Sequence, residues 1–111
     1  MENNAQLLKG VLEHCVLKLI AQKTTYGYEI VAHLKQEGFS DLSESTLYPL
    51  LLRLEQQGKV VVERRPSPKG PSRKYYIATP KGQEALREFR EEWRQLCGLV
   101  EKIFREGKAD E

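Results

Sequence analysis

Residues 43–82 change their hydrophobic period once, at Gly58, and that change limits the folds open to the chain. Before Gly58, Leu47, Leu50, Leu51 and Leu54 recur at i, i+3, i+4 and i+7, which is one face of a helix. Ser43 precedes this run and suits an N-cap, where a hydroxyl accepts a bond from an orphan backbone N–H. Pro49 has no amide hydrogen and is tolerated only near a helix start, which places the start between Ser43 and Ser45. Ser45, Pro49, Leu52, Arg53 and Gln56 fall opposite the leucines, with Tyr48 on the flank. After Gly58, Val60-Val61-Val62 and Tyr75-Tyr76-Ile77 are β-rich runs. Between them, Pro66-Ser67-Pro68-Lys69-Gly70-Pro71-Ser72 consists mostly of turn formers. The pattern predicts a helix over 43–57 followed by a hairpin over 59–79 with a loose tip. Tyr75 and Tyr76 alternate along the second strand, so one of them must face inwards.

The flanking segments read as helices. Residues 5–21 carry Leu7, Leu8, Val11, Leu12, Cys15, Val16, Leu19 and Ile20 at helical spacing. That stripe is wider than one small core needs and suggests a second subunit. Thr24-Thr25-Tyr26-Gly27 interrupts the pattern. A second helix follows over 27–36 with Ile30, Val31 and Leu34 on one face, and Gly38 suits its C-terminus. Thr79 and Pro80 are a cap and a first-turn residue for a last helix. There Leu86, Phe89, Trp93, Leu96, Val100 and Ile103 are spaced 3, 4, 3, 4 and 3, a heptad seam. A narrow seam on a domain already built points to packing between subunits. Leu8, Leu12, Phe89, Trp93, Leu96, Val100 and Ile103 are the candidate dimerisation residues.

Charge is concentrated. Of the 18 Lys and Arg residues, seven lie within 59–81 against one acid, Glu63, so this segment carries +6 while the remainder carries −4. A basic hairpin beside an amphipathic helix is a footprint for a polyanion. A chain of 111 residues is one domain, with room for a modest core and not for an elaborate active site. No apolar stretch is long enough to cross a bilayer. Met1-Glu2-Asn3-Asn4 lacks the basic start of a signal peptide, and Cys15 and Cys97 are isolated; a cytoplasmic location is expected. His14 and His33 have no ligand at metal spacing, and no metal or cofactor is expected. Without a phosphate-binding glycine loop, a nucleophile motif or a positioned carboxylate pair, catalysis is not expected.

Ser43-Glu44-Ser45-Thr46-Leu47-Tyr48-Pro49, Arg53-Leu54-Glu55, Gly58, Gly70-Pro71-Ser72-Arg73-Lys74-Tyr75-Tyr76, Thr79 and Gly82 together resemble the PadR-like transcriptional regulators, as does Tyr26-Gly27-Tyr28-Glu29. The resemblance runs from about Leu8 into the last helix. It implies a mainly α chain with a small β-hairpin (α+β), a winged helix-turn-helix whose first and last helices form a dimer. Residues 1–79 would be the DNA-binding part and 80–111 the dimerisation helix, in one continuous unit. It also implies a repressor of one or a few nearby genes, often released by a small ligand. Two positions depart from the pattern: Leu52 stands where a polar or basic residue is usual, and Ala78 where a larger aliphatic residue is common.

Groove chemistry divides the contacts, because phosphates position a protein and base edges specify sequence. Ser45, Tyr48 and Arg53 are the groove candidates on the third helix, and Thr46 is a helix-start or phosphate contact. Lys69, Arg73 and Lys74 are the phosphate candidates on the wing. The partners expected are double-stranded DNA and a second copy of the chain. Trp93 is bulky for a seam and would leave a flat-walled gap where a small planar aromatic effector could stack. Cys15 and Cys97 lie on the two dimer helices, where buried apolar roles outweigh redox ones. Two alternatives stand beside a DNA-binding repressor. One is a regulator whose interface pocket senses a ligand or oxidant; the other is a winged-helix module that holds a protein.

Overall fold

The computed structural model describes Leu8 and residues 10–109, with the backbone alone for 107–109. Four helices and three short strands follow one another as α1 (Val11–Gln22), β1 (Thr25–Tyr26), α2 (Gly27–Glu37), α3 (Glu44–Gln56), β2 (Val60–Ser67), β3 (Gly70–Ala78) and α4 (Pro80–Ala109). The helix expected over 5–21 begins later, at Val11. Gly10 with φ 83° separates it from Leu8, and Leu7 lies outside the described residues. The φ of 124° at Gly38 ends α2, and the Gly38 amide closes on the Leu34 and Lys35 carbonyls.

Strand β1 was not foreseen in Thr24-Thr25-Tyr26-Gly27, because two residues are too few to show alternation. It completes an antiparallel sheet of order β1-β3-β2, with Thr25 opposite Tyr76 and Tyr26 opposite Tyr75. The hairpin tip is tight where a loose one was expected. The strands continue to Ser67 and Gly70, leaving Pro68 and Lys69 to turn. Pro66 falls at a register shift between Arg65 and Ser67, a place where its missing N–H breaks no ladder bond.

One core joins the helices to the inner face of the sheet. Leu47, Leu51 and Leu54 of α3 are buried as their spacing requires, with Leu50 at the margin. They meet Val16, Leu17 and Ile20 of α1 and Ile30 and Leu34 of α2 in the same cluster. Tyr76 is the inward tyrosine, 5% exposed. Burial, with smaller contributions from Glu55 and Tyr48, pushes its hydroxyl pKa up. Leu12 is covered by this core, not left for a partner as expected, because the α1 face that carries it also carries Val16.

The junction of α3, the sheet and α4 is tightly tied. Thr79 Oγ1 donates to the Gly58 carbonyl (2.7 Å) and accepts from the Gly82 amide (3.1 Å), while the Thr79 amide donates to the Lys59 carbonyl (3.0 Å). Thr79 is thus the cap its sequence position suggested. Ala85 and Leu86 pack on the core; beyond Phe89 the helix leaves the body, and the molecule spans 62 × 30 × 20 Å. Leu96, Leu99, Val100, Ile103 and Phe104 are exposed there. Leu99 and Phe104 lie beside the heptad positions, so the apolar stripe is broader than a strict seam.

At Gly82 a Cβ would stand 2.2 Å from the Lys59 carbonyl oxygen, whereas at Gly98 it would meet nothing within 4 Å. Gly82→Ala is therefore expected to lower stability by about 1–3 kcal/mol. Gly98→Ala should raise it by about 0.5–1 kcal/mol. Urea unfolding midpoints decide; equal effects at the two sites would contradict the close approach.

Candidate nucleic-acid interface

Helix α3 presents two chemically different flanks. At its start Ser43 occupies the cap position with extended backbone, but its hydroxyl caps no amide. It lies instead 2.8 Å from the Ser45 hydroxyl and 3.3 Å from that of Thr46, giving an exposed cluster of three hydroxyls. Tyr48 leaves the helix towards the start of α2, where a Cβ on Gly27 would sit 3.3 Å from the tyrosine ring and hydroxyl. Gly27 thus makes room for a half-exposed Tyr48 to lie beside Tyr28, itself 67% exposed. Leu52 is exposed on the face between these flanks, so an apolar side chain stands where the resemblance expects a polar one.

Sheet alternation supplies the facing wall. Val60, Val62 and Arg64 pair with Ala78, Tyr76 and Lys74, and each pair shares the face that Tyr76 turns to the core. Where the core ends, that face continues outward as Arg64, Lys74 and Ser72. A cleft of about 640 Å³ results, lined by Tyr26, Gly27, Tyr28, Tyr48 and Tyr76 together with Arg64, Ser72, Arg73 and Lys74. No acid lines it. Arg64 was not among the residues singled out from the sequence. Its position two residues after Val62, on the inward side of the strand, was the available signal.

An aromatic ladder crosses the other face of the sheet, starting at the cleft's edge with Tyr26 and Arg73. The Arg73 guanidinium lies 4.6 Å from the Tyr26 ring centre, Tyr26 meets Tyr75 edge to face at 5.3 Å, and Arg65 lies 4.7 Å over Tyr75. Arg65 also pairs with Glu63 at 3.4 Å. Lys69 is exposed at the hairpin tip.

Arg53 is on the far flank of α3, away from Tyr48. Its Nη1 lies 3.5 Å from Oε1 of Glu13 on α1, an acid only 7% exposed whose Oε1 has no hydrogen bond. The structure therefore brings together Tyr48, Lys74 and Arg73, places Ser45 and Thr46 on the same helix at its exposed start, and gives Arg53 to α1.

His14 of α1 and Phe89 and Trp93 of α4 form a column of rings. His14 stacks on Phe89 at 4.2 Å and 6°, and Phe89 on Trp93 at 6.1 Å and 15°. His14 Nδ1 is 2.6 Å from the Gly10 carbonyl. Cys15 and Cys97 are free and half-buried, and burial pushes the Cys15 thiol pKa up, which keeps it in the less reactive protonated form. Among the described residues no three His, Cys, Asp or Glu side chains gather as a metal site, and no helix is long and apolar enough to cross a membrane.

A helix-turn-helix made of α2 and α3, with a β-hairpin wing and a long last helix, is a winged helix-turn-helix. Residues 16–88 match the Transcriptional regulator PadR-like family, and the chain belongs to that family. It is 37% identical to the Transcriptional regulator Rv3488 of Mycobacterium tuberculosis, over 77% of this chain and 78% of that one. Among solved structures it resembles a Streptococcus transcriptional regulator (46% identity, TM-score 0.81, 89% of this chain and 97% of that one). It also resembles a PadR-like transcriptional regulator from Bacillus cereus (42% identity, TM-score 0.80, 90% and 97%). The protein is a transcriptional regulator.

The Glu13–Arg53 contact carries a stability prediction. Arg53→Ala leaves a buried carboxylate without its partner, and because Arg53 is half exposed the expected loss is about 1–2 kcal/mol. Adding Glu13→Gln should recover part of it. Losses that simply add across the two sites, measured by urea unfolding, would show that the two groups are not coupled.

Proposed function

We propose that this regulator is a dimeric, DNA-binding repressor that occupies an inverted-repeat operator. The observation that carries the reading is the acid-free cleft between Tyr48 of the third helix and the Arg64–Lys74 pair of the wing. A helix flank with hydroxyl and phenol groups suits base edges or phosphates, and paired cations on the adjoining sheet suit the flanking backbone. In this reading Ser45 and Tyr48 face the groove, Thr46 meets a phosphate at the helix start, and Lys69, Arg64 and Lys74 neutralise phosphates along the wing. Arg53 acts from behind, setting the helix on α1. A module built to hold a protein partner has no need of a cleft whose charged lining is entirely cationic.

Dimerisation is supported by the exposed apolar stripe of α4. Ile103 and Phe104 are 66% and 72% exposed within the protomer. Contiguous apolar surface on this scale is the mark of an interface. Residues 1–79 read DNA and 80–111 hold the two copies together.

Association with duplex DNA should weaken with salt, log K falling against log salt by about 0.9 for each phosphate neutralised. Replacing Arg64 and Lys74 together with Ala should lower that slope by about two contacts' worth, and weaken binding to all sequences alike. An unchanged slope with lost discrimination would place base readout, not phosphate binding, on the wing.

Replacing Leu96 and Val100 with Lys puts charges into the stripe and should convert the dimer to monomer in sedimentation. In the unaltered dimer the two third helices should lie roughly 34–36 Å apart, one turn of DNA. A double variant that sediments as the parent does would remove α4 from the interface.

A further inference from the structure

Two of the wing's cations do not behave like the rest. Arg64 and Lys74 stand opposite each other on the cleft side of the sheet, whereas Arg65 and Arg73, the next pair in register, turn towards the opposite face, with Arg73 at the cleft's edge. There each guanidinium is laid over a tyrosine ring, Arg73 over Tyr26 and Arg65 over Tyr75, and the two rings meet edge to face. The stack is continuous across the sheet from β1 to β2.

Tyr26 is the member that reaches beyond the sheet. It is the last residue of β1 and directly precedes Gly27, the residue on which Tyr48 of α3 rests. Strand β1 is only two residues long, so its ladder alone is a weak hinge between the wing and the helices. The ring of Tyr26, held by Tyr75 and covered by Arg73, adds a side-chain joint at that same place. Through it the pitch of the hairpin is referred to the residue that supports Tyr48.

We infer that Tyr26 is a positioning residue for DNA binding, that Arg73 acts through its stack on Tyr26 and not as a phosphate contact, and that the two together hold the Arg64–Lys74 pair at a fixed angle to the third helix. This rests on the DNA-binding reading above. A planar guanidinium stacks on a ring in a way an ammonium does not, so Lys keeps the charge at position 73 and loses the joint. A flexible wing still carries its cations, but it must be ordered at the moment of binding, and that ordering subtracts from affinity.

The test compares charge with stacking. The probe is a duplex selected by the unaltered protein from a randomised library, titrated at several salt concentrations. Arg73→Lys is expected to weaken binding at least tenfold, as Arg73→Ala does, with the salt slope of Arg73→Lys unchanged. Tyr26→Leu should weaken it similarly, and Tyr26→Phe, which keeps the ring, should bind within twofold of the parent. Arg73→Lys binding within twofold of the parent overturns the inference, as does a folded Tyr26→Leu that binds within twofold. Where Tyr26→Leu fails to fold, the exposed Arg73→Lys variant decides alone. A parent protein that holds no duplex at low salt, or an Arg64, Lys74 double variant with an unaltered slope, would instead remove the DNA-binding reading on which the inference stands.

Discussion

The rest of the structure depends on the bonds around Thr79. One hydroxyl receives the Gly82 amide and is donated to the Gly58 carbonyl, while the Thr79 amide reaches Lys59. Those few atoms lie at the end of α3, the root of the wing and the start of α4. Gly82 has to be glycine for the contact to close, since a Cβ would strike the Lys59 carbonyl. Helix α3, the basic hairpin and the long helix therefore have a common origin. In the proposed dimer, a change in how two copies of α4 meet would be carried to α3 and the wing without passing through a flexible linker.

A second constraint is the alternation of the sheet. One strand pair performs three tasks because its two faces are assigned separately. Val60, Val62 and Tyr76 close the core; Arg64 and Lys74 extend the same face into the cleft; Tyr75, Arg65 and Arg73 fix the opposite face. The +6 charge of residues 59–81 is thus not one patch. Part of it is aimed at the cleft and part is laid over aromatic rings.

Much of this was legible in the chain. The leucine spacing of α3, the cap at Thr79, the inward turn of one tyrosine of two, and the apolar stripe of α4 all follow from periodicity, and they appear where periodicity puts them. What escaped shares a physical cause: it depends on partners distant in sequence. Strand β1 is too short to have a period and exists only because Tyr75 and Tyr76 pair with it. The tight tip comes from a ladder that runs through residues of low strand preference. Arg53 sits on the outward side of α3 by helical counting, yet a buried acid forty residues earlier draws it to α1. Ser43 stands at the cap position, but Ser45 and Thr46 compete for its hydroxyl. Arg73 could not be told from Lys74 by composition; strand parity separates them only once the register is known.

The face carrying Ser45, Thr46, Tyr48, Arg64 and Lys74 is where duplex DNA should meet the protein, and amide chemical-shift mapping by NMR tests that most directly. The labelled protein is titrated with the duplex it selects from a randomised library. The largest shifts are expected at residues 43–49, 63–65 and 69–75, with α4 beyond Phe89 little changed. Shifts confined to α4, or spread evenly with none concentrated at the cleft, would contradict the assignment of that face to DNA.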